Sequence, residues 1–175
     1  MLIISLKELP KSGQHEYAHR LLRECLKPHG ISYTENTPIA KGEHEKPSLA
    51  EYPHIHYNVT HSDGITACFS ASKECGIDAE RVRDYRPNVI KRAFSESEKA
   101  LIEKAPDEEK NLLFFRLWTL KEAYVKALGI GVSYPLNTAE FSVDGGEIIS
   151  NIEGYSFKQY VLGGGAFVVS VCEKV

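Results

Sequence analysis

A chain of 175 residues, 42% hydrophobic and 26% charged, is long enough to bury a core without disulfide or metal staples and makes one or two small domains. No apolar run approaches the roughly 20 residues of a membrane span, and a net charge of −3 excludes a chain-wide track for nucleic acid. Cys25, Cys68, Cys75 and Cys172 form no C-x-x-C pair and read as free thiols of a reducing cytoplasm, so a cytoplasmic protein is expected.

In chain order, "MLIISLKELPKSG" has too short an apolar run for a signal peptide and predicts a first strand. Over 14–27, Ala18, Leu21, Leu22, Cys25 and Leu26 recur at helical spacing, and Pro28 and Gly30 end the helix. Polar, proline-containing 34–53 predicts a loop. Strands are expected over 55–60, 64–71 and 75–82, with Ser62-Asp63-Gly64 as the turn between the first two. Pro87 suits a first helical turn. Ser95 and Glu98 form a capping box for a helix reaching about Lys104, and Asp107 opens a long helix that stops at Gly129. Strands are then expected over 132–135, 139–150 and 156–172, with glycine turns at 144–146 and 163–165. Each half reads as a helix followed by about three strands. The expected fold is therefore α+β, with two similar helix-plus-antiparallel-sheet halves (1–86 and 87–175) packed as a pseudo-dimer around a site between them. A chain carrying both halves has little need to dimerise, so a monomer is expected.

Two short stretches carry chemistry. In 75–82, period-two alternation turns Cys75, Ile77 and Ala79 toward a core and sets Asp78 and Glu80 on the opposite face. Two carboxylates on one strand face repel unless they are exposed or joined by a cation, and Mg²⁺ suits such oxygen donors. On the long helix, Leu113, Leu117, Leu120, Tyr124, Ala127 and Leu128 form one apolar stripe. Phe115, Trp118 and Glu122 lie opposite, with Lys126 one turn on. A third carboxylate and a lysine beside a metal suit phosphate chemistry, although Glu122 and Lys126 also fit an exposed i, i+4 pair. His54 and His56 are spaced like zinc ligands on a strand, but no matching cluster accompanies them.

Gly76-Ile77-Asp78, the capped helix beginning "AFSESE", and Trp118-Thr119-Leu120-Lys121-Glu122-Ala123-Tyr124-Val125-Lys126 resemble the signature of the phosphopantetheinyl transferases. The type resembled is the one that activates nonribosomal peptide and polyketide synthases (the surfactin-synthetase-activating type). Weaker likenesses lie upstream in "NVTHSDG", "EKPSL" and "AHRLLR". The resemblance implies transfer of 4'-phosphopantetheine from coenzyme A to a serine of an apo acyl or peptidyl carrier protein, releasing adenosine 3',5'-bisphosphate. It implies that Asp78, Glu80 and Glu122 hold Mg²⁺, that Lys126 contacts the phosphates, and that Glu122 or a metal-bound water takes the serine proton. Arg20, Lys46, Thr60 and His61 would line the coenzyme A site. Glu45 stands where the family has glycine before Lys46-Pro47, which implies an altered adenine edge. Thr60 replaces serine and keeps the hydroxyl. Only 17 residues precede Ala18, where longer relatives carry basic residues for the 3'-phosphate.

Two other readings compete. Acids with a lysine also cut phosphodiesters, and a catalytically inactive module for coenzyme A or a carrier protein would keep the fold. Residues 81–92 hold Arg81, Arg83, Arg86, Lys91 and Arg92 against Asp84, a net +4 that leaves −7 for the remainder. The rest of the chain is thus unsuited to nucleic acid, while the run itself suits an acidic protein partner.

Overall fold

The computed structural model describes residues 1–42, 44 and 46–175. Glu45 lies outside the described residues. The first half holds β1 (Leu2–Leu6), α1 (Lys11–Leu26), β2 (Ile39–Lys41), β3 (Pro47–Leu49), β4 (His56–Ser62), β5 (Ile65–Ala71) and β6 (Cys75–Arg81). The second holds α2 (Pro87–Ala93), α3 (Glu96–Lys104), α4 (Asp107–Leu128), β7 (Phe141–Asp144), β8 (Glu147–Ser150), β9 (Tyr155–Leu162) and β10 (Phe167–Lys174). Among the described residues no helix is long and apolar enough to cross a membrane.

Two three-stranded antiparallel sheets dominate, ordered β1-β5-β4 and β6-β10-β9. Sheet membership does not follow the expected helix-then-three-strands order. β6 pairs with β10, Asp78 opposite Ser170 and Glu80 opposite Val168. The third strand of the first sheet is instead β1, with Ile4 opposite Ala67. The core repeats this division. α1 packs Leu22, Cys25 and Leu26 against Tyr57 and Cys68 of the first sheet. Ile65 and Ala67 of β5 meet Ile77 and Ala79 of β6 and Val169 and Val171 of β10, joining the two sheets through apolar side chains. α4 lies on the other face of the second sheet, where Ala123 and Ala127 contact Cys172. The alternation read for 75–82 is realised: Ile77 and Ala79 face the inter-sheet core, and Asp78 and Glu80 face the other way.

Two local expectations are corrected. Residues 34–53 contain a small hairpin, β2 on β3, with Ile39 opposite Leu49; Leu49 is buried in the first core and anchors it. The strand expected over 132–135 is a 3-10 turn, Gly131–Ser133, followed by a second at Leu136–Thr138. Gly131 has φ 61°, a left-handed angle that glycine adopts without steric cost and that turns the chain here instead of extending it.

Candidate active site

Gly76 sets the distance between α4 and β6. A Cβ at this position would lie 2.1 Å from the Ala123 carbonyl oxygen and 2.4 Å from the Ala127 nitrogen. Only glycine lets helix and strand approach so closely. The approach aims the last two turns of α4 at the acidic face of β6. α4 carries Asp107, Glu108 and Glu109 in its first turn and Lys126 in its last, and ends on Gly129 in the left-handed conformation; all four charges suit the helix dipole.

β4 supplies the opposite wall. Asn58 Oδ1 accepts from the Ile77 backbone N–H at 3.0 Å, Thr60 Oγ1 donates to Asp78 Oδ1 at 3.3 Å, and Ser62 Oγ donates to Glu80 Oε2 at 2.9 Å. Three alternate residues of β4 thus reach Ile77, Asp78 and Glu80 of β6. Sequence reasoning singled out Thr60 and missed Asn58 and Ser62. The signal was available in "NVTHS", whose polar period-two pattern matches that of the acids it meets.

Asp78 is nearly inaccessible, 5% exposed. Its Oδ1 accepts from Lys126 Nζ at 2.6 Å. Its Oδ2 is buried and has no hydrogen-bond partner among the described residues. Burial pushes the Asp78 carboxyl above the usual carboxylate range, and the Lys126 ammonium opposes that shift. Glu122 is half-buried. Burial raises its proton affinity, and the nearby Asp78 and Glu80 charges raise it further. Lys126 therefore pairs with Asp78, not with Glu122 as an exposed i, i+4 pair. Glu80 takes Arg83 at 2.9 Å besides Ser62.

A cavity of about 410 Å³ adjoins these groups, lined by Lys46, Asn58, Trp118, Glu122, Lys126 and Gly131 among others. Beyond Trp118 lies a second cavity of about 290 Å³, lined by Glu80, Arg83, Tyr85, Phe115 and Trp118. The Lys46 side chain lines the larger cavity, but its ammonium donates to the Cys75 and Ala127 carbonyls at 3.0 and 2.8 Å. Arg20 and His61 stand apart from this cluster. Arg20 is exposed, its guanidinium 4.5 Å from the Tyr17 ring centre. His61 alternates with Thr60 and Ser62 and so points to the opposite face of β4, where it is exposed. Among the described residues no three His, Cys, Asp or Glu side chains are gathered as a metal-ligand set. The fit to a hard cation rests instead on the donors themselves: a buried, unpartnered Asp78 oxygen, with Glu122 and Glu80 within electrostatic reach.

Lys121, adjacent to Glu122, does something different. It is fully buried, pairs with equally buried Glu98 at 2.8 Å, and donates to the Leu136 and Ala139 carbonyls. Glu98 Oε1 accepts from the Phe141 N–H and Oε2 from the Ser95 N–H of the capping box. Lys121 thus ties α4 to α3 and to the loop leading into β7.

The 4'-phosphopantetheinyl transferase superfamily model matches residues 74–172, more than half of the chain and including β6, α4 and β10. The chain belongs to this superfamily. It is 34% identical over 104 residues to the 4'-phosphopantetheinyl transferase gsp of Aneurinibacillus migulanus, covering 59% of this chain and 43% of that one. It is 36% identical over 102 residues to 4'-phosphopantetheinyl transferase Sfp of Bacillus subtilis (strain 168), covering 58% and 44%. The chain thus spans less than half the length of these curated relatives. Among solved structures, the Thermotoga maritima holo-(acyl-carrier-protein) synthase is similar with a TM-score of 0.48 and 23% identity, over 58% of this chain and 64% of that one.

Proposed function

We propose that the protein moves the 4'-phosphopantetheine arm of coenzyme A onto a serine hydroxyl of an apo acyl or peptidyl carrier protein. The observation that carries this reading is the divided Asp78 carboxylate, one oxygen on Lys126 and the other buried without a partner, beside a cavity lined by Glu122 and Lys126.

Asp78, Glu80 and Glu122 would hold Mg²⁺, which when bound neutralises diphosphate charge. In the transfer, the serine oxygen attacks the phosphorus on the pantetheine side of the diphosphate. A new P–O bond forms as the bond to the bridging oxygen breaks, and adenosine 3',5'-bisphosphate departs with that electron pair. Lys126 holds its ammonium where a phosphate oxygen would meet it as a point charge. Glu122, whose burial raises its proton affinity, accepts the serine proton. Trp118 forms an apolar wall of the cavity that the pantetheine arm would follow. Thr60 positions Asp78, and Ser62 positions Glu80. Lys46 acts through the ends of β6 and α4, holding them together through their carbonyls, and Arg20 and His61 would meet coenzyme A at its outer, 3'-phosphate end.

The coarser expectations fit this reading. We place the boundary between halves at residue 86, just before α2, with β6 reaching across it to pair with β10. One chain supplies both walls of the cleft, in keeping with a monomer, and four buried free thiols suit a reducing cytoplasm. Intact-mass analysis of an apo carrier protein after incubation with coenzyme A and Mg²⁺ tests the proposal. The carrier should gain one phosphopantetheine arm, and chelating the metal should prevent it. Coenzyme A cleavage without transfer would make this a phosphodiesterase. Binding without either would make it an inactive module.

A further inference from the structure

Away from the acidic cleft, His15 and His19 lie one turn apart on α1, and their Nε2 atoms approach to 3.3 Å. The rings are 4.5 Å apart at a 55° tilt, and the two nitrogens share a hydrogen bond whose donor depends on the tautomer; a metal ion would replace that shared proton. Two imidazoles bound to one dication at about 2.0–2.1 Å, in tetrahedral or octahedral geometry, hold their nitrogens about 2.8–3.4 Å apart. The observed separation falls in that range.

The outer contacts also match. His19 Nδ1 is 2.8 Å from the Tyr33 hydroxyl, and Tyr33 is buried, with its phenol pushed up by burial so that the hydroxyl keeps its proton. A fixed partner on Nδ1 holds the ring orientation and leaves Nε2 for a metal, the arrangement that orients histidine ligands elsewhere. Burial, and then the neighbouring His15, lower the proton affinity of His19, while Glu35 opposes this. His15 is exposed, which gives an ion a path from solvent. Arg20 lies over Tyr17, and Arg23 Nε donates to the Tyr33 carbonyl.

We propose that His15 and His19 form a two-histidine site for a borderline divalent transition cation such as Zn²⁺, Ni²⁺ or Cu²⁺, with water completing the coordination sphere. Mg²⁺ is excluded by ligand type, because imidazole favours the transition dications and Mg²⁺ favours oxygen. The site is independent of the transferase reading. A bound ion would clip the first turns of α1 together and, through Tyr33, fix them to the segment that follows Gly30.

Zn²⁺ titration by calorimetry, with excess Mg²⁺ present to occupy the acidic cleft, tests the site. The parent should bind one Zn²⁺, and His15→Ala and His19→Ala should each weaken it at least tenfold. Tyr33→Phe should weaken it by a smaller factor. Cu²⁺ added to the parent should give an electron paramagnetic resonance signal split by two equivalent nitrogens. His15→Gln, at an exposed position, leaves the fold intact and should remove one nitrogen from that pattern. Zn²⁺ affinity unchanged in both alanine variants, or no Zn²⁺ bound by the parent, would overturn the proposal.

Discussion

Asp78 and Glu122 sit where a carboxylate is costly. For each, burial raises the folded-state proton affinity. The folded protein then binds a proton more readily than the unfolded chain, so each acid's contribution to stability falls as pH rises from the ordinary carboxylate range through its raised value. Glu122 makes the cleaner test, because no hydrogen bond opposes its shift. Glu122→Gln is expected to raise the melting temperature at neutral pH, to flatten the loss of stability with rising pH, and to abolish transfer. A lower melting temperature at pH 7 would contradict this. Lys126→Ala is expected to slow transfer by orders of magnitude. It also strands Asp78, and since Lys126 is 30% exposed the stability cost should be about 1–3 kcal/mol, below that of a fully buried pair. Adding Asp78→Asn should recover most of that stability without recovering transfer, which denaturant melts of the single and double variants would show. The residues themselves were legible: alternation placed Asp78 and Glu80 on one face, and helical spacing placed Glu122 and Lys126 near it. The partner of Lys126 was not, because the choice between Glu122 and Asp78 depends on how closely α4 approaches β6. Nor was the burial of Lys121, whose partner Glu98 lies on another helix.

At the scale of elements, that approach is decided by one missing methyl group. Gly76→Ala would press a Cβ into the backbone of α4, not into a side chain that could rotate away. We expect a loss of at least about 3 kcal/mol, at or above the usual cost of overpacking, read as a shift of the urea midpoint. If the variant folds, transfer should fall even at saturating substrate, because Lys126 and Glu122 retreat from Asp78. Unchanged stability would contradict so close an approach of α4 to β6. Most helices were legible from caps and spacing: Ser95 and Glu98 form the capping box, and Gly129 ends α4. Strand pairing was not. β6 follows β5 closely and was expected in one three-strand unit with it, yet its ladder runs to β10 near the other end of the chain. Alternation specifies which residues share a face; it does not name the neighbouring strand.

At the scale of the whole molecule, charge is divided by location. Arg81 and Arg83 are engaged, Arg81 with Glu8 and Asp63 at 3.4 Å and Arg83 with Glu80. Arg86, Lys91 and Arg92 are exposed on and before α2, while Val89 and Ile90 between them are half-buried against the second core. The three exposed cations suit an acidic carrier protein and should act chiefly on encounter. Reversing all three to Glu should raise the carrier KM about tenfold or more and leave the coenzyme A KM nearly unchanged. Added salt should move the parent the same way, since exposed charges are screened over about 8 Å at physiological ionic strength. A rise in the coenzyme A KM instead would assign the patch to the 3'-phosphate.

The central claim is that Asp78, Glu122 and Lys126 form one site in which a cation and the coenzyme A diphosphate are bound together. Calorimetric titration of coenzyme A with and without Mg²⁺, in the parent and in Glu122→Gln, tests it most directly. Mg²⁺ should tighten coenzyme A binding at least tenfold in the parent, and that coupling should vanish in the variant. Coenzyme A binding that ignores Mg²⁺ in the parent, or coupling that survives intact in Glu122→Gln, would contradict it.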